Sequence, residues 1–238
     1  MRIPRFAAAL LLALPLASVA DAAAPPTPFS ADYEVLQDGK PLGTGQISLR
    51  RRPDGRWEMT TRSEATSGLA AAAGVRRTEV SVIDWSGDRP RTLGYDMQQQ
   101  AAWNKRRETL AVDPAARTAR VTYKGATQAL PYQDGLLDRH AVTAALMSEL
   151  AAGRRGDMAF PVAGRRDVAT DRYRTAANVR LRTALGVERA IRVERVRDDD
   201  SGRVTKIWFA RNRGWLPLRI KQYEADGSTL DLRITAVR

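Results

Sequence analysis

The run Leu230-Asp-Leu-Arg-Ile-Thr-Ala236, close to the end of the chain, decides the fold class. Its apolar side chains stand at every second position and alternate with Asp231, Arg233 and Thr235. Successive side chains of a β-strand point to opposite faces. Strict alternation therefore predicts a strand with one face in a core and the other in water.

The same period of two recurs along the chain. It is present in four further runs, at residues 33–35, 47–49, 57–61 and 121–123. Turn sequences separate the runs at close intervals, and they include Asp38-Gly39, Pro53-Asp54-Gly55, Asp113-Pro114 and Asp226-Gly227. Glycine supplies a positive φ and proline a preset φ in such turns. About 12 to 14 short strands at this spacing predict an all-β fold, either a single curled antiparallel sheet or an open β-barrel.

One helix is predicted to pack on this sheet, over about residues 139–152. Asp138 stands where a residue caps a first turn, and Gly153 stands where a glycine ends a helix. Four residues form one apolar stripe along it: Val142, Ala145, Leu146 and Leu150. A single helix in a β-rich chain most simply fills the concave side or an open end of the sheet. Residues 67–74, Ser-Gly-Leu-Ala-Ala-Ala-Ala-Gly, are predicted as a loop or a helical turn between strands.

The composition excludes several classes of site. The chain has 238 residues, of which 43% are hydrophobic and 28% charged, as is typical of a globular protein. It contains no cysteine, which excludes disulfides, thiolate metal sites and cysteine nucleophiles. His140 is its one histidine, which excludes sites that need several. We therefore predict that the protein has no cofactor and no bound transition metal, and the sequence points to no catalytic residue.

The first 28 residues have the pattern of an export signal followed by a short leader. Arg2 and Arg5 precede an apolar stretch at residues 6–16, and small residues follow it. This pattern predicts a secretory signal peptide over residues 1–20, with an apolar core too short to span a bilayer. We expect a flexible leader over residues 21–28 and a single β-rich domain over residues 29–238. The expected location is the periplasm, without a lipid anchor or a membrane-spanning segment.

The charge balance is strongly basic. The formal net charge is +12, from 39 Lys and Arg against 27 Asp and Glu. Basic side chains cluster at Arg50-Arg-Arg52, Lys105-Arg-Arg107, Arg154-Arg155 and Arg165-Arg166. These clusters are either separate solvated turns or cradles for anions. An exported protein does not normally meet a genome, so nucleic acid is not an expected partner.

Three stretches carry a family resemblance. They are Phe29-Ser-Ala-Asp-Tyr-Glu-Val35, Asp134-Gly-Leu-Leu-Asp138 and Ile207-Trp-Phe-Ala-Arg-Asn-Arg-Gly-Trp-Leu-Pro-Leu-Arg219. The chain resembles an exported bacterial family, the domain-of-unknown-function family numbered 3108, over most of residues 29–237. The resemblance implies an exported, β-rich fold. It brings no known activity and no functional residues.

The candidate ligand site is aromatic. Trp57, Tyr95, Trp103 and Trp208 lie on or beside predicted strands. A tryptophan combines a large apolar area with one N–H donor, so several on a concave face would line a ligand cavity; the alternative is ordinary core packing. His140 has a comparable pair of interpretations, a general base or a helix-edge residue half covered by the sheet.

Three functional hypotheses follow, from different classes. The leading one is a non-enzymatic periplasmic protein, for binding or envelope maintenance, with a concave ligand site. It would be a monomer that holds an anionic amphiphile, a lipid or a glycan of the envelope. The first alternative is a carboxylate-based hydrolase acting on envelope glycan, which needs two converging carboxyls. The second is a structural partner in an envelope complex.

Overall fold

The computed structural model describes residues 24–87, 89–102, 104–196 and 202–238. Over these residues the chain forms one 15-stranded sheet that is curled but not closed, with two α-helices. The predicted fold class is confirmed. The predicted signal peptide and Trp103 lie outside the described residues.

The first half of the chain is a meander of eight strands with one short helix. The elements are β1 (Phe29–Gln37), β2 (Lys40–Arg51), β3 (Trp57–Ala65), α1 (Gly68–Ala72), β4 (Arg76–Asp84), β5 (Arg91–Ala101), β6 (Asn104–Asp113), β7 (Thr118–Tyr123) and β8 (Ala126–Leu130).

The second half contains the long helix near its start and then forms a second meander. Its elements are β9 (Leu137–Asp138), α2 (Val142–Ala151), β10 (Asp157–Ala163), β11 (Val168–Thr183), β12 (Gly186–Val196), β13 (Val204–Ala210), a 3-10 turn (Arg211–Arg213), β14 (Leu216–Tyr223) and β15 (Thr229–Val237).

The first and last long strands pair in the middle of the sheet. The strand order is β8-β7-β6-β5-β4-β3-β2-β1-β15-β14-β13-β12-β11-β10-β9, and of these neighbours only β9 and β10 run parallel. The two meanders therefore grow outwards from the β1–β15 pair. Register shifts at Asp32/Tyr33 and Trp208/Phe209 bend the strands, as bulges do, and help the sheet to curl.

Helix α2 fills the concave side of the sheet. Eight of its ten residues are buried. Its side chains share one apolar cluster with residues from both halves of the sheet, including Ile83 of β4 and Phe209 of β13. Ala144 and Ala145 are fully buried, and their small side chains let the helix approach the strands closely. No helix among the described residues is long and apolar enough to cross a membrane.

The β9 end of the sheet contacts strands of the first meander through isolated contacts. The backbone N–H of Thr92 in β5 donates to the carbonyl of Leu136, beside β9, at 2.9 Å. Arg165, in the β10–β11 loop, donates to Glu108 of β6 at 2.7 Å, and its guanidinium stacks over the ring of Tyr123 at 4.0 Å. These contacts bring β10 and β11 against β6 and β7 without a continuous ladder.

The structure differs from the sequence predictions in two details. In β15 the buried charged residue is Asp231, held by Arg219 and Arg233, whereas Leu230 is partly exposed. Helix α2 begins at Val142, later than predicted, because Asp138 organises a turn before the helix rather than its first turn. The flexible leader over residues 21–28 stays a prediction; among residues 24–28 Pro26 is buried and the other four are exposed.

Candidate functional site

A buried polar cluster holds the segment before α2 against the sheet. The Asp138 carboxylate is 1% exposed and accepts hydrogen bonds from the Ser81 hydroxyl at 2.9 Å and the Thr92 hydroxyl at 2.8 Å. It also accepts from the backbone N–H groups of His140 at 2.8 Å and Ala141 at 3.0 Å. Ser81, Thr92, Asp138 and His140 are called the clasp below.

The hydrogen bonds of the clasp fix the tautomer of His140. The single hydroxyl proton of Ser81 goes to Asp138, so Ser81 Oγ accepts from His140 Nδ1 over their 2.8 Å contact. In a neutral ring, His140 Nε2 then accepts from the Thr61 hydroxyl at 2.8 Å. The neutral ring therefore carries its proton on Nδ1, and both of its nitrogens are engaged.

Burial shifts the pKa of His140 downwards. Desolvation is the largest cause and lowers the pKa below 6.5, while the charges of Glu79 and Asp138 act in the opposite direction. The lowered pKa favours the neutral ring.

A second carboxylate, Glu79, lies beside the clasp on β4. Burial by itself would raise the pKa of Glu79, but hydrogen bonds and charges outweigh it and lower the pKa to about 2. Arg77 binds both carboxylate oxygens, at 2.9 and 3.0 Å, and the Tyr95 hydroxyl donates at 2.6 Å. Glu79 is therefore ionised at neutral pH.

These groups position the chain rather than perform chemistry. A serine nucleophile needs a base that accepts its proton, whereas Ser81 already donates to a carboxylate and is fully buried. A glycosidase acid needs a raised pKa, and the pKa of Glu79 is lowered. Among the described residues no group of three or more His, Asp or Glu side chains could hold a metal ion.

A second polar feature lies on the outer half of the same strands. The register places Arg76 of β4 opposite Gln100 of β5 and Gln100 opposite Lys105 of β6. In the next row Arg77, Gln99 and Arg106 lie side by side, and in the row after it Thr78, Gln98 and Arg107 do so. Together they line a depression of about 330 Å³ whose wall is Arg76, Arg77, Thr78, Gln98, Gln99, Gln100, Lys105, Arg106 and Arg107. This is called the basic depression.

The cations of the basic depression are only partly neutralised. Arg77 pairs with Glu79, and Arg107 pairs with Asp96 at 2.5 Å. Arg76 hydrogen-bonds the amide oxygen of Gln100 at 3.0 Å. Lys105 and Arg106 are exposed and form no ion pair with any described residue. The depression therefore combines free positive charge with amide groups.

Comparison with known proteins places the chain in a family. It matches the family described as "Protein of unknown function (DUF3108)" over residues 29–235. The chain belongs to the DUF3108 family. The match confirms the resemblance carried by the three sequence stretches, and all three lie within it. None of the curated proteins matches this DUF3108 chain.

Two solved structures are similar to this DUF3108 chain. One is a β-barrel-like protein of the domain of unknown function DUF1849 from Brucella abortus, with a TM-score of 0.57 and 8% identity over 90% of this chain and 98% of that chain. At that identity the likeness shows the fold alone. The other is the MucA/MucB complex of Pseudomonas aeruginosa, with a TM-score of 0.36 and 16% identity over 92% of this chain and 54% of that chain.

The structure places the predicted aromatic residues of the DUF3108 chain apart. Trp57 packs edge-on against Trp85, with ring centroids 5.9 Å apart, and lines a depression of about 750 Å³. Tyr95 is buried in a separate cluster and bonds Glu79. Trp208 is buried in the main core, with the Arg219 guanidinium 5.1 Å from its ring. Trp103 lies outside the described residues, so an aromatic cavity shared by these residues stays a prediction.

Sequence analysis missed half of the clasp and part of the basic depression. Ser81 and Thr92 were not singled out, although the period of two places Glu79, Ser81 and Ile83 on one face of β4. Arg76 and Arg77 were also missed, since only the register brings them beside Lys105 and Arg106. In the stretch Asp134-Gly-Leu-Leu-Asp138, the last aspartate is the centre of the clasp.

Proposed function

We propose that this protein is a non-enzymatic envelope protein that binds anionic molecules at the basic depression. The observation that carries the proposal is that five basic residues of β4 and β6 line one depression of about 330 Å³. Two of them, Lys105 and Arg106, have no carboxylate partner among the described residues.

The chemistry of the depression suits a phosphate or carboxylate group. Guanidinium groups bind such groups through charge-assisted hydrogen bonds, often two at a time. The amides of Gln98–Gln100 can donate further hydrogen bonds to sugar or glycerol oxygens. An envelope lipid head or an acidic glycan offers both kinds of acceptor.

Binding is favoured over hydrolysis by the state of the interior carboxylates. Asp138 is saturated with donors, and the low pKa of Glu79 keeps it ionised and paired with Arg77. The concave side, where a hydrolase would hold its substrate, is filled by α2.

The proposal is tested with a fluorescein-labelled polyphosphate, an anion without an apolar tail. The double variant Lys105→Gln/Arg106→Gln should weaken binding about tenfold or more, because each lost charged hydrogen bond is worth about 1.5 kcal/mol or more. The matched control is Arg180→Gln/Arg182→Gln, which removes the same charge from exposed positions of β11. Equal losses in the two variants would mean attraction by net charge alone and would refute the site.

The periplasm is the proposed location, on the strength of the predicted signal peptide. Export should remove residues 1–20, so that the mature chain begins near Asp21 or Ala23. Intact-mass analysis of the protein from a periplasmic extract tests this. A mass that retains Met1 would contradict the proposal.

A second candidate site lies at the opposite ends of β3 and β4, where Trp57 and Trp85 border the 750 Å³ depression. Within the described residues, the indole N–H of Trp85 is buried without a hydrogen-bond partner. Arg51 and Arg91 lie on the rim, so an aromatic sulfonate such as 1-anilinonaphthalene-8-sulfonate is a suitable probe. Trp85→Phe should weaken its binding and Trp208→Phe should not; equal affinity in both variants would exclude this site.

A further inference from the structure

An exposed apolar segment stands beside the basic depression. Residues 66–75 join β3 to β4 and contain no charged side chain. None of them is buried, α1 contributes no side chain to the core, and Leu69 is 90% exposed. Residues 66–75 are called the apolar tip.

The apolar tip is fixed in place rather than loosely attached. Its α1 turn is closed by the Ala73 N–H donating to the carbonyl of Leu69 at 2.9 Å. The β5–β6 turn supports it from the side, because the N–H of Ala102 donates to the carbonyl of Ala73 at 2.5 Å. A side chain as apolar as Leu69 is thus held in water by the backbone around it.

The basic depression begins where the apolar tip ends. Arg76 follows the tip directly in β4, and the register sets Gln100 and then Lys105 beside it. Arg77 and Arg106 stand one row further along the same strands. Cations therefore surround the base of a protruding apolar segment.

This juxtaposition matches the layers of a membrane surface. Lipid phosphates lie outside the acyl chains, so a protein that docks there places cations at the phosphates and apolar side chains just beyond them. We infer that the apolar tip and the basic depression together dock this protein onto an anionic phospholipid surface. The inference rests on the proposed function, since the phosphate groups of the lipids are the anions that the depression binds.

The positive charge of this surface favours a lipid surface over a second copy of this chain. A copy carries the same excess of positive charge and the same Lys105 and Arg106, which have no carboxylate partner among the described residues, so two such faces repel each other. An anionic bilayer attracts them, with about a fivefold gain in binding for each cation near the surface. A single leucine with neighbouring alanines is a small anchor, so docking is reversible.

The test measures sedimentation with phosphatidylglycerol–phosphatidylcholine vesicles, and polyphosphate binding in parallel. Leu69→Asp should lower vesicle binding about tenfold or more and leave polyphosphate binding unchanged. Lys105→Gln/Arg106→Gln should lower both. Val187→Asp, at a 54% exposed position on the β11–β12 hairpin, is the matched control and should lower neither.

A fluorophore on the apolar tip measures its contact with the membrane directly. The chain has no cysteine, so Leu69→Cys can be labelled at one position with an environment-sensitive nitrobenzoxadiazole dye. Its emission should shift to the blue with anionic vesicles, and that of labelled Val187→Cys should not.

Unchanged vesicle binding by Leu69→Asp would overturn the docking inference while leaving the proposed function intact. A loss of self-association in Leu69→Asp, seen by analytical ultracentrifugation, would also overturn it and assign the tip to a second copy. Failure of the parent protein to bind polyphosphate as well as vesicles would overturn both.

Discussion

At the scale of single residues, Asp138 shows how this fold keeps a charge inside. A buried carboxylate is costly unless hydrogen bonds replace its water, and Asp138 receives four from two hydroxyls and two backbone N–H groups. The same bonds tie β9 and the start of the α2 segment to β4 and β5. Asp138 therefore organises the crossing from one meander to the other.

Replacing Asp138 should be severely destabilising. Asp138→Ala leaves Ser81, Thr92 and two backbone donors buried without an acceptor, which should cost about 3 kcal/mol or more. The measurement is the free energy of unfolding in urea. Asp134→Ala is the control from the same motif, because its carboxylate is exposed and its removal should cost less than about 0.5 kcal/mol. Similar losses in the two variants would contradict the role of the clasp.

His140 should make the stability depend on pH. Its pKa is lowered in the folded state, so the unfolded chain binds the proton more readily. The stabilisation from the neutral ring is present above 6.5 and is lost as the pH falls through the folded-state pKa. The free energy of unfolding should decline between about pH 7 and pH 5, where no other side chain ordinarily titrates.

The control for this pH dependence is His140→Gln, since His140 is the only histidine in the chain. Glutamine can still bond Ser81 and Thr61 but does not titrate, so the decline over this range should flatten. A parent protein whose urea midpoint stays constant over the range would show that the ring is not held neutral. The separate loss linked to Glu79 belongs to lower pH, from 4.5 down to about 2.

At the scale of elements, α2 and the sheet depend on each other. The helix has no side-chain cap and no charged residue in its first turn, so its own sequence stabilises it little. Its stability comes from burial against both halves of the sheet. The sheet in turn has no other element on its concave side among the described residues.

A cavity inside α2 should therefore weaken the whole fold. Leu146 is fully buried, and Leu146→Ala should lower the free energy of unfolding by about 2–5 kcal/mol. Leu69→Ala removes the same atoms from an exposed position and should change it by less than about 0.5 kcal/mol. Urea unfolding monitored by tryptophan fluorescence compares the two, and equal effects would mean that α2 is not packed in the core.

At the scale of the whole molecule, charge is the dominant surface property. A net charge of +12 attracts anions over long distances, but that attraction is screened within about 8 Å at physiological salt. Short-range contacts in the basic depression are screened less. The two contributions can be separated by varying the salt concentration.

The affinity for polyphosphate should fall as the salt concentration rises, and the salt dependence of this affinity should differ between the variants. The Lys105→Gln/Arg106→Gln protein should bind weakly at every salt concentration, whereas Arg180→Gln/Arg182→Gln should approach the parent at high salt. Anisotropy titrations across a salt series measure this. Parallel curves for the two variants would assign the binding to net charge.

The sequence by itself determined the fold class, the family and the buried helix. Period-two alternation marks strands because side chains alternate along a β-backbone, and it is visible within a few residues. The close turns favoured antiparallel neighbours, and the apolar stripe of α2 identified the element that fills the concave side. Each of these signals is local, so no knowledge of distant contacts was needed.

Only the tertiary structure decided which residues act together. The clasp joins β4, β5 and β9, and the basic depression joins Arg76 to Lys105 through Gln100, three positions linked by register and not by spacing in the chain. Alternation shows which residues of a strand share a face, but it does not show which strand pairs with it or in which register. For the same reason Asp231 was predicted to face water: its burial depends on Arg219 of β14, which pairs with Arg233 in the register of β14 with β15 and reaches Asp231 diagonally.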